Sequence, residues 1–487
     1  MPVSSSSNTT DDDETAMATH ALAGSASSSS RPTSGVLSFT PLGGSPGGNF
    51  KKLWTASVVS NFGDGLTLVA YPWLASAVTR DPVAIGAVTV TRFLPWLLLS
   101  LPAGVLTDRV DRRRLVVLMD AIRFVVTSAV AVAVMLAADG LPSPDEVAAG
   151  ALAEQHRVLL LGMLYVAGCL LGAAEVLRDN SAQTLLPAIV PSEHLERANG
   201  RLYSAELIMN SFVGPPVAGL LLGVAFGLPF LVDAATFGLA AALVALLVGE
   251  FRPVRQVPVI GGTESRASWR VELMEGLRWL WSHRLLRALA ISLGGLNLLA
   301  LVEGAVYVLF AQEVLDVGPT GYGLLALGTA GGGVLGAMFA APLSGRLGTG
   351  PSLQLTVAVS AAAPLAIFLW PDPFVYFVAM AMVTFVGVVW NVITVAFRQA
   401  IIPDHLLGRV NSVYRFIGWG VMPIGSLLGG AIVAWTGSGA SRDTALRMPW
   451  LVAAVGHALL LVYVGPRLTS AAMARARADA APAVADG

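Results

Sequence analysis

Two long apolar runs, 82–103 and 115–138, are separated by the twelve residues GVLTDRVDRRRL, Gly104 to Leu115, which carry four arginines. A segment this densely charged is too costly to place in hydrocarbon. It must be a short loop at a membrane surface, and the runs on either side of it must cross. Short cytoplasmic loops collect Lys and Arg. The same loop therefore also predicts a side, the cytoplasm.

The composition leads to the same solvent. Only 13% of the chain is charged, 55% is hydrophobic and the mean hydropathy is +0.70. A soluble domain carries about 25% charged residues. The net charge of −1 reflects segregated charges and points to no partner. Cys169 is the single cysteine, so an intramolecular disulfide is excluded and a cysteine-based metal site is not supported.

A spanning helix needs about 20 mostly apolar residues. Twelve segments qualify, near 53–78, 82–106, 115–138, 158–178, 202–224, 228–249, 287–311, 321–343, 352–370, 374–396, 411–435 and 448–465. If Lys51 and Lys52 are inside, the inner loops gather most arginines, among them Arg197, Arg252, Arg278, Arg346, Arg398 and Arg409. The outer loops hold only Arg80, Arg157, Arg442 and Arg447. That bias predicts cytoplasmic termini. Trp73, Trp370, Trp435 and Trp450 fall at predicted outer ends, where an aromatic belt would place them.

The chain repeats internally. Pro191, Arg197 and Asn199 recur as Pro403, Arg409 and Asn411 at one offset, 212, and AGVLTDR aligns with APLSGR at 341–346 at offset 237. The organisation reads as a disordered cytoplasmic tail (1–50), a six-helix bundle (51–249), a cytoplasmic linker (250–286), a second six-helix bundle (287–465) and a cytoplasmic tail (466–487). The first tail is rich in Ser, Gly, Thr and Ala and has too few apolar residues to form a core. In the linker, Trp269, Leu273, Leu277 and Leu280 share one face of a predicted amphipathic helix. It lies on the inner membrane surface or packs on the protein's own loops. An all-α membrane protein of two parallel six-helix repeats is a plan of secondary transporters, with sites between the repeats.

The loop Gly104-x-Leu106-x-Asp108-Arg109-x-x-Arg112-Arg113 resembles the first inter-helix signature of the major facilitator superfamily, departing at Asp111, where glycine is usual. Gly345-Arg346 is a decayed second copy without the acid. In the fifth span NSFVGPPVAG, Asn210 to Gly219, is similar to the antiporter signature of that superfamily's drug exporters, with Asn210 in place of a glycine. With NFGDGLTLVAYPWLASAVTRDP, LLPAIVPSEHLERAN and EGLRWLW, these stretches resemble the enterobactin-exporter-like and macrolide-efflux-like branch over roughly 51–465. The resemblance implies twelve helices in two bundles and export of a small hydrophobic, siderophore-like or drug-like molecule by alternating access. It implies a proton gradient as energy source, with no cofactor, and a monomer in the bacterial cell membrane.

An ionisable side chain at bilayer depth is expensive and therefore a functional candidate. Asp64 lies about 11 residues into the first span and Arg92 about 10 into the second, so both fall near the midplane of consecutive antiparallel helices. They are expected to pair or to share a polar cavity. Such a carboxylate exchanges a proton, or belongs to a static pair that fixes packing. Glu303, with Asn297 six residues before it, is a second proton or cationic-substrate candidate, or a solvated acid near the outer mouth. Gly104, Asp108, Arg109, Arg112, Asp120, Arg123, Glu175 and Arg178 gather toward the inner side, where the resemblance implies a gate that holds the halves together when the transporter opens outward. Asp120 with Arg123, and Glu175 with Arg178, share helix faces at i, i+3. Glu206 and Asp233 read as shallower and wet. Asn210, Gly214, Pro215 and Gly219 read as a close-packing motif, as do Gly328, Gly332 and Gly336.

No HExxH and no Walker-type phosphate loop is present, so neither an enzyme nor a nucleotide-driven pump is supported. No catalytic residue or metal ligand is assigned. The expected partners are a small-molecule substrate and the lipid bilayer, not nucleic acid. An importer or lipid transporter of the same fold stays open. A non-transporting sensor would need a folded soluble domain to relay its signal, and only the tails 1–50 and 466–487 are available.

Overall fold

The computed structural model describes residues 47–107, 109–249, 251 and 269–480. Most of the predicted tail 1–50, residues 250 and 252–268 of the linker, Asp108 and residues 481–487 lie outside the described residues.

The first half contains α1 (Gly48–Val78), α2 (Pro82–Thr107), α3 (Arg112–Leu136), a short α4 (Pro144–Ala148), α5 (Arg157–Leu185), α6 (Leu195–Glu206), α7 (Gly214–Leu222) and α8 (Gly227–Ala245). A helix α9 (Trp269–Ser282) leads into the second half. That half contains α10 (Arg284–Gly304), α11 (Tyr307–Glu313), α12 (Pro319–Leu347), α13 (Thr349–Leu369), α14 (Pro373–Ile401), α15 (Asp404–Gly420), α16 (Met422–Gly437) and α17 (Arg442–Val464). The last described helix is α18 (Ser470–Ala480). Among the described residues there is no strand.

Eleven stretches of these helices are long and apolar enough to cross a membrane. α1 is not among them despite its 31 residues, because Ser57, Ser60, Asn61, Asp64 and Thr67 make its middle polar. It packs on α5, α6, α7 and α8. Protein contacts take the place of lipid along it, which makes that polarity tolerable. It completes twelve crossings, and an even number returns the chain to its starting face. We call that the terminal face and the opposite one the far face.

The two bundles repeat one packing scheme. α1 packs on α8 and α7, α2 on α5, and α3 on α5 and α8; correspondingly α10 packs on α17 and α16, α12 on α14, and α13 on α14 and α17. Small residues set the closest crossings. A Cβ on Gly336 of α12 would lie 2.7 Å from the Phe385 carbonyl oxygen of α14. Gly328 and Gly332 abut the α14 backbone in the same way, one turn apart.

The halves join through α2 against α16 and α7 against α12. Toward the far face a single buried apolar cluster draws on both, from Leu66, Tyr71, Trp73 and Phe230 to Val306, Phe310, Tyr322, Tyr376 and Trp450. At the terminal face the described buried clusters stay within one half each. Phe50, Val116, Leu185 and Leu247 belong to the first; Leu289, Val357, Phe397 and Met473 belong to the second.

This arrangement corrects the predicted aromatic belt. Trp370 and Trp435 are exposed, but Trp73 and Trp450 are fully buried in the shared far-face cluster. The linker helix α9 packs on α15: Gly276 lies against the Arg409 backbone, Leu280 is buried, and Glu275 pairs with Arg409 at 2.5 Å. The predicted C-terminal tail begins as a docked helix. Met473 of α18 is buried, and Ser470 Oγ accepts from the Gly350 amide at 3.3 Å.

Candidate functional site

A chain of alternating charges runs through the first half. Arg123 of α3 donates to the Asp64 carboxylate of α1, to Ser60 Oγ at 3.1 Å, and pairs with Asp120 one turn before it at 3.5 Å. Its guanidinium also lies 3.8 Å from the centroid of the Phe237 ring. Asp120 in turn pairs with Arg178 of α5 at 3.3 Å, and Arg178 with Asp179 at 3.2 Å. Asp120 is 0% exposed and Arg123 2%, whereas the Asp64 side chain is 15% exposed. Asp64 is thus the member of this inner trio with an opening to its surroundings.

Several expectations change here. Asp64 does not pair with Arg92. Consecutive helices α1 and α2 touch little, because α2 packs on α5 and α16 while α1 packs on α8 and α7. Arg92 and Asp64 both lie within electrostatic reach of Glu175 and Asp233, so the other expectation, a shared polar surrounding, is not contradicted. Asp120, Arg123 and Arg178, expected at an inner gate, belong to the Asp64 network. Arg178 turns to Asp120 and Asp179 rather than to Glu175. Asp233, expected to be wet, is fully buried, and Gly63 is small because its missing side chain is where the Asp233 and Thr236 oxygens lie. Glu206 is exposed, as expected. The sequence reading missed Ser60, Phe237 and Asp179, which carry no signal of their own until the helices are placed.

The arginine-rich loop ties its own half together. Arg112 donates to the Thr184 carbonyl at 3.1 Å and Arg113 to the Leu247 carbonyl at 2.6 Å, at the C-terminal ends of α5 and α8. Such carbonyls lack intrahelical donors, and a cation suits the helix dipole there. Asp111, where the superfamily signature has glycine, caps α3 by accepting from the Arg114 amide at 3.0 Å. Arg109 is exposed. Among the described residues no ion pair joins this loop to the second half. Asp108 lies outside the described residues.

The fifth crossing is irregular where the antiporter-like motif falls. α6 and α7 are joined by a π-helix, Leu207–Val213, that contains Asn210. It crosses α1 at Gly65, where a Cβ would lie 2.8 Å from the Met209 carbonyl and 2.9 Å from the Gly214 Cα. Gly219 lies against Pro319 and Thr320 of α12, and Pro215 against Gly323. The motif residues therefore set close approaches to α1 and across the halves.

In the second half Asn297 donates to the Gly418 carbonyl at 2.8 Å. Glu303 is 5% exposed, which overturns the solvated-mouth alternative.

The far face is closed by a polar latch. Arg442 grips the Glu313 carboxylate with two bonds, 2.8 and 3.1 Å, and donates to the Arg80 carbonyl at 3.0 Å. Arg80 donates to Gln312 at 2.5 Å and to the Val147 carbonyl of α4, while Gln312 donates to Ser76 at 2.9 Å. Arg80 and Ser76 belong to the first half, Gln312, Glu313 and Arg442 to the second. Burial holds the Arg80 guanidinium below the usual arginine range, with Glu313 opposing that effect. A half-exposed pair is worth about 1 kcal/mol, roughly a fivefold bias. Arg442→Ala should therefore raise thiol labelling of a buried probe, Ala75→Cys in a Cys169→Ser background, severalfold. Unchanged labelling would remove the latch from the account.

Twelve crossings in two like-folded bundles, with a charged network at membrane depth, define a secondary transporter rather than an enzyme. The chain belongs to the Major Facilitator Superfamily, whose profile matches residues 53–426. It is 30% identical over 390 residues to the multidrug efflux pump Tap of Mycobacterium tuberculosis, covering 77% of this chain and 85% of that relative. Tap of Mycolicibacterium fortuitum is 27% identical over 415 residues, 82% of this chain and 92% of that one. A crystal structure of a variant of the nucleoside transporter NupG shares the fold with a TM-score of 0.68 at 11% identity, over 86% of this chain and 100% of that chain.

Proposed function

We propose that this chain is a proton-coupled exporter of small drug-like molecules, working by alternating access as a monomer in the bacterial cell membrane. Both termini are cytoplasmic in this reading, so the terminal face is the inner one. The naming of its relatives as multidrug efflux pumps supports the cargo class.

One observation carries the direction of access: a buried cluster shared by both halves at the far face, against separate clusters at the terminal face. A molecule resting in this state takes cargo from inside. Asp64 is the proton-exchanging carboxylate, because within the trio it forms with Arg123 and Asp120 it alone has an opening to its surroundings. Arg92 and Glu175 flank that site. Asp108, Arg109 and Arg112 meet the second half when the inner face closes.

The test is reconstitution into liposomes with an imposed pH gradient and a panel of hydrophobic dyes and siderophores. Gradient-driven movement of at least one supports the reading. No movement under any gradient would favour a non-transporting sensor.

A further inference from the structure

In the first half Asp64 and Asp120 are matched by Arg123 and Arg178, while Asp233 forms no ion pair among the described residues and leaves its Oδ2 buried without a partner, with Thr236 donating to its Oδ1 at 3.5 Å. In the second, Glu303 forms no ion pair among the described residues, and its Oε2 is buried with no hydrogen-bond partner. Leaving such an atom unsatisfied is unfavourable and calls for a reason.

Glu303 stands at a break. The seventh crossing is interrupted between α10, which ends at Gly304, and α11, which starts at Tyr307. Interrupted helices recur at transporter binding sites, because the unwound backbone is free to bond a ligand. Immediately beyond the break lies an aromatic stack. The Tyr307 ring is 4.6 Å from Tyr376 and 4.8 Å from Tyr322, and Tyr376 meets Trp450 edge-on at 5.8 Å. Glu303 lies four residues before Tyr307, on the other side of the break. The indole nitrogens of Trp450 and Trp73 are also buried without partners.

The stack is covered from the other half. Trp73 of α1 closes edge-on against Tyr322 at 5.4 Å.

We propose that Glu303, with the rings of Tyr307, Tyr376 and Trp450, is the exit-side seat for the positively charged group of the cargo. Amphipathic organic cations are then the preferred substrates. A carboxylate without a cation of its own supplies the charge, and the ring faces add cation–π attraction. In the present state the rings stack on one another, so the seat forms only as the far face opens. This inference rests on the exporter reading above and narrows its cargo.

Initial rates of ethidium counterflow in proteoliposomes, with the dye presented at the far face, test it, with wild type, Glu303→Gln and Glu303→Asp. Loss of the carboxylate should raise KM for ethidium about tenfold or more, with Glu303→Asp recovering most of it. An unchanged KM, or a fall in kcat alone, overturns the seat. If Glu303→Gln does not give monodisperse protein, Tyr376→Leu decides, and an unchanged KM in that variant overturns the proposal. A wild type that carries uncharged aromatics but no cation overturns the seat and leaves the exporter reading standing. A wild type that carries nothing overturns the exporter reading itself.

Discussion

Replacing Arg123 with leucine is expected to cost about 3–5 kcal/mol of stability. Arg123 holds Asp64 and Asp120 together across two helices, with Ser60 and the Phe237 ring completing its surroundings. Removing it strands two carboxylates where only Asp120 keeps a partner, in Arg178. The cost comes from the charges left behind, not from the worth of the pair itself. Asp64→Asn should therefore be much milder, since an amide still accepts from the guanidinium. Thermal unfolding in detergent, with the monodisperse fraction from gel filtration, separates the two. Equal midpoints for Arg123→Leu and wild type would contradict the network.

Gly65→Val is expected to be the most damaging change that alters no charge. A Cβ there would fall within 3 Å of two backbone oxygens of the π-helix and of the Gly214 Cα, at 2.8, 2.9 and 2.9 Å. Backbone cannot rotate away as a side chain can, so α1 must move off the fifth crossing and carry Asp64 with it. Overpacking of this kind costs about 1–3 kcal/mol or more. The control is Gly387→Ala on α14, where nothing lies within 4 Å of the added carbon. That change should be neutral or stabilise by up to about 1 kcal/mol through helix propensity. Similar losses at both positions would mean that glycine content, not close crossing, is what matters.

The crossings were legible because hydrophobic run length reports on bilayer thickness, whatever the neighbours. The internal repeat was legible too, and the packing scheme of α1–α8 recurs in α10–α17. Gly328, Gly332 and Gly336 could be read because their spacing alone puts them on one helix face. Asp120 with Arg123 could be read from the i, i+3 spacing alone, but pairing between helices could not. Asp64 is expected to pair or share a polar cavity with Arg92 because the two lie at matching depth on consecutive helices, yet its ion-pair partner is Arg123 from the third. Depth follows from counting residues, whereas rotation about the helix axis and the choice of neighbour follow from packing. In a nearly all-apolar helix the sequence pattern leaves both undetermined. Trp73 and Trp450 went wrong for the same reason: their depth was right, but they face the protein rather than lipid. The π-helix at Leu207–Val213 and the break after Gly304 left no trace beyond Pro215 and a few glycines.

The decisive measurement compares wild type with Asp64→Asn in proteoliposomes, recording transport driven by an imposed pH gradient beside counterflow of the same dye without one. Asp64→Asn should lose gradient-driven transport and keep counterflow, because exchange of cargo needs the alternating helices but not the proton. Full gradient-driven transport by Asp64→Asn would contradict Asp64 as the proton-exchanging carboxylate.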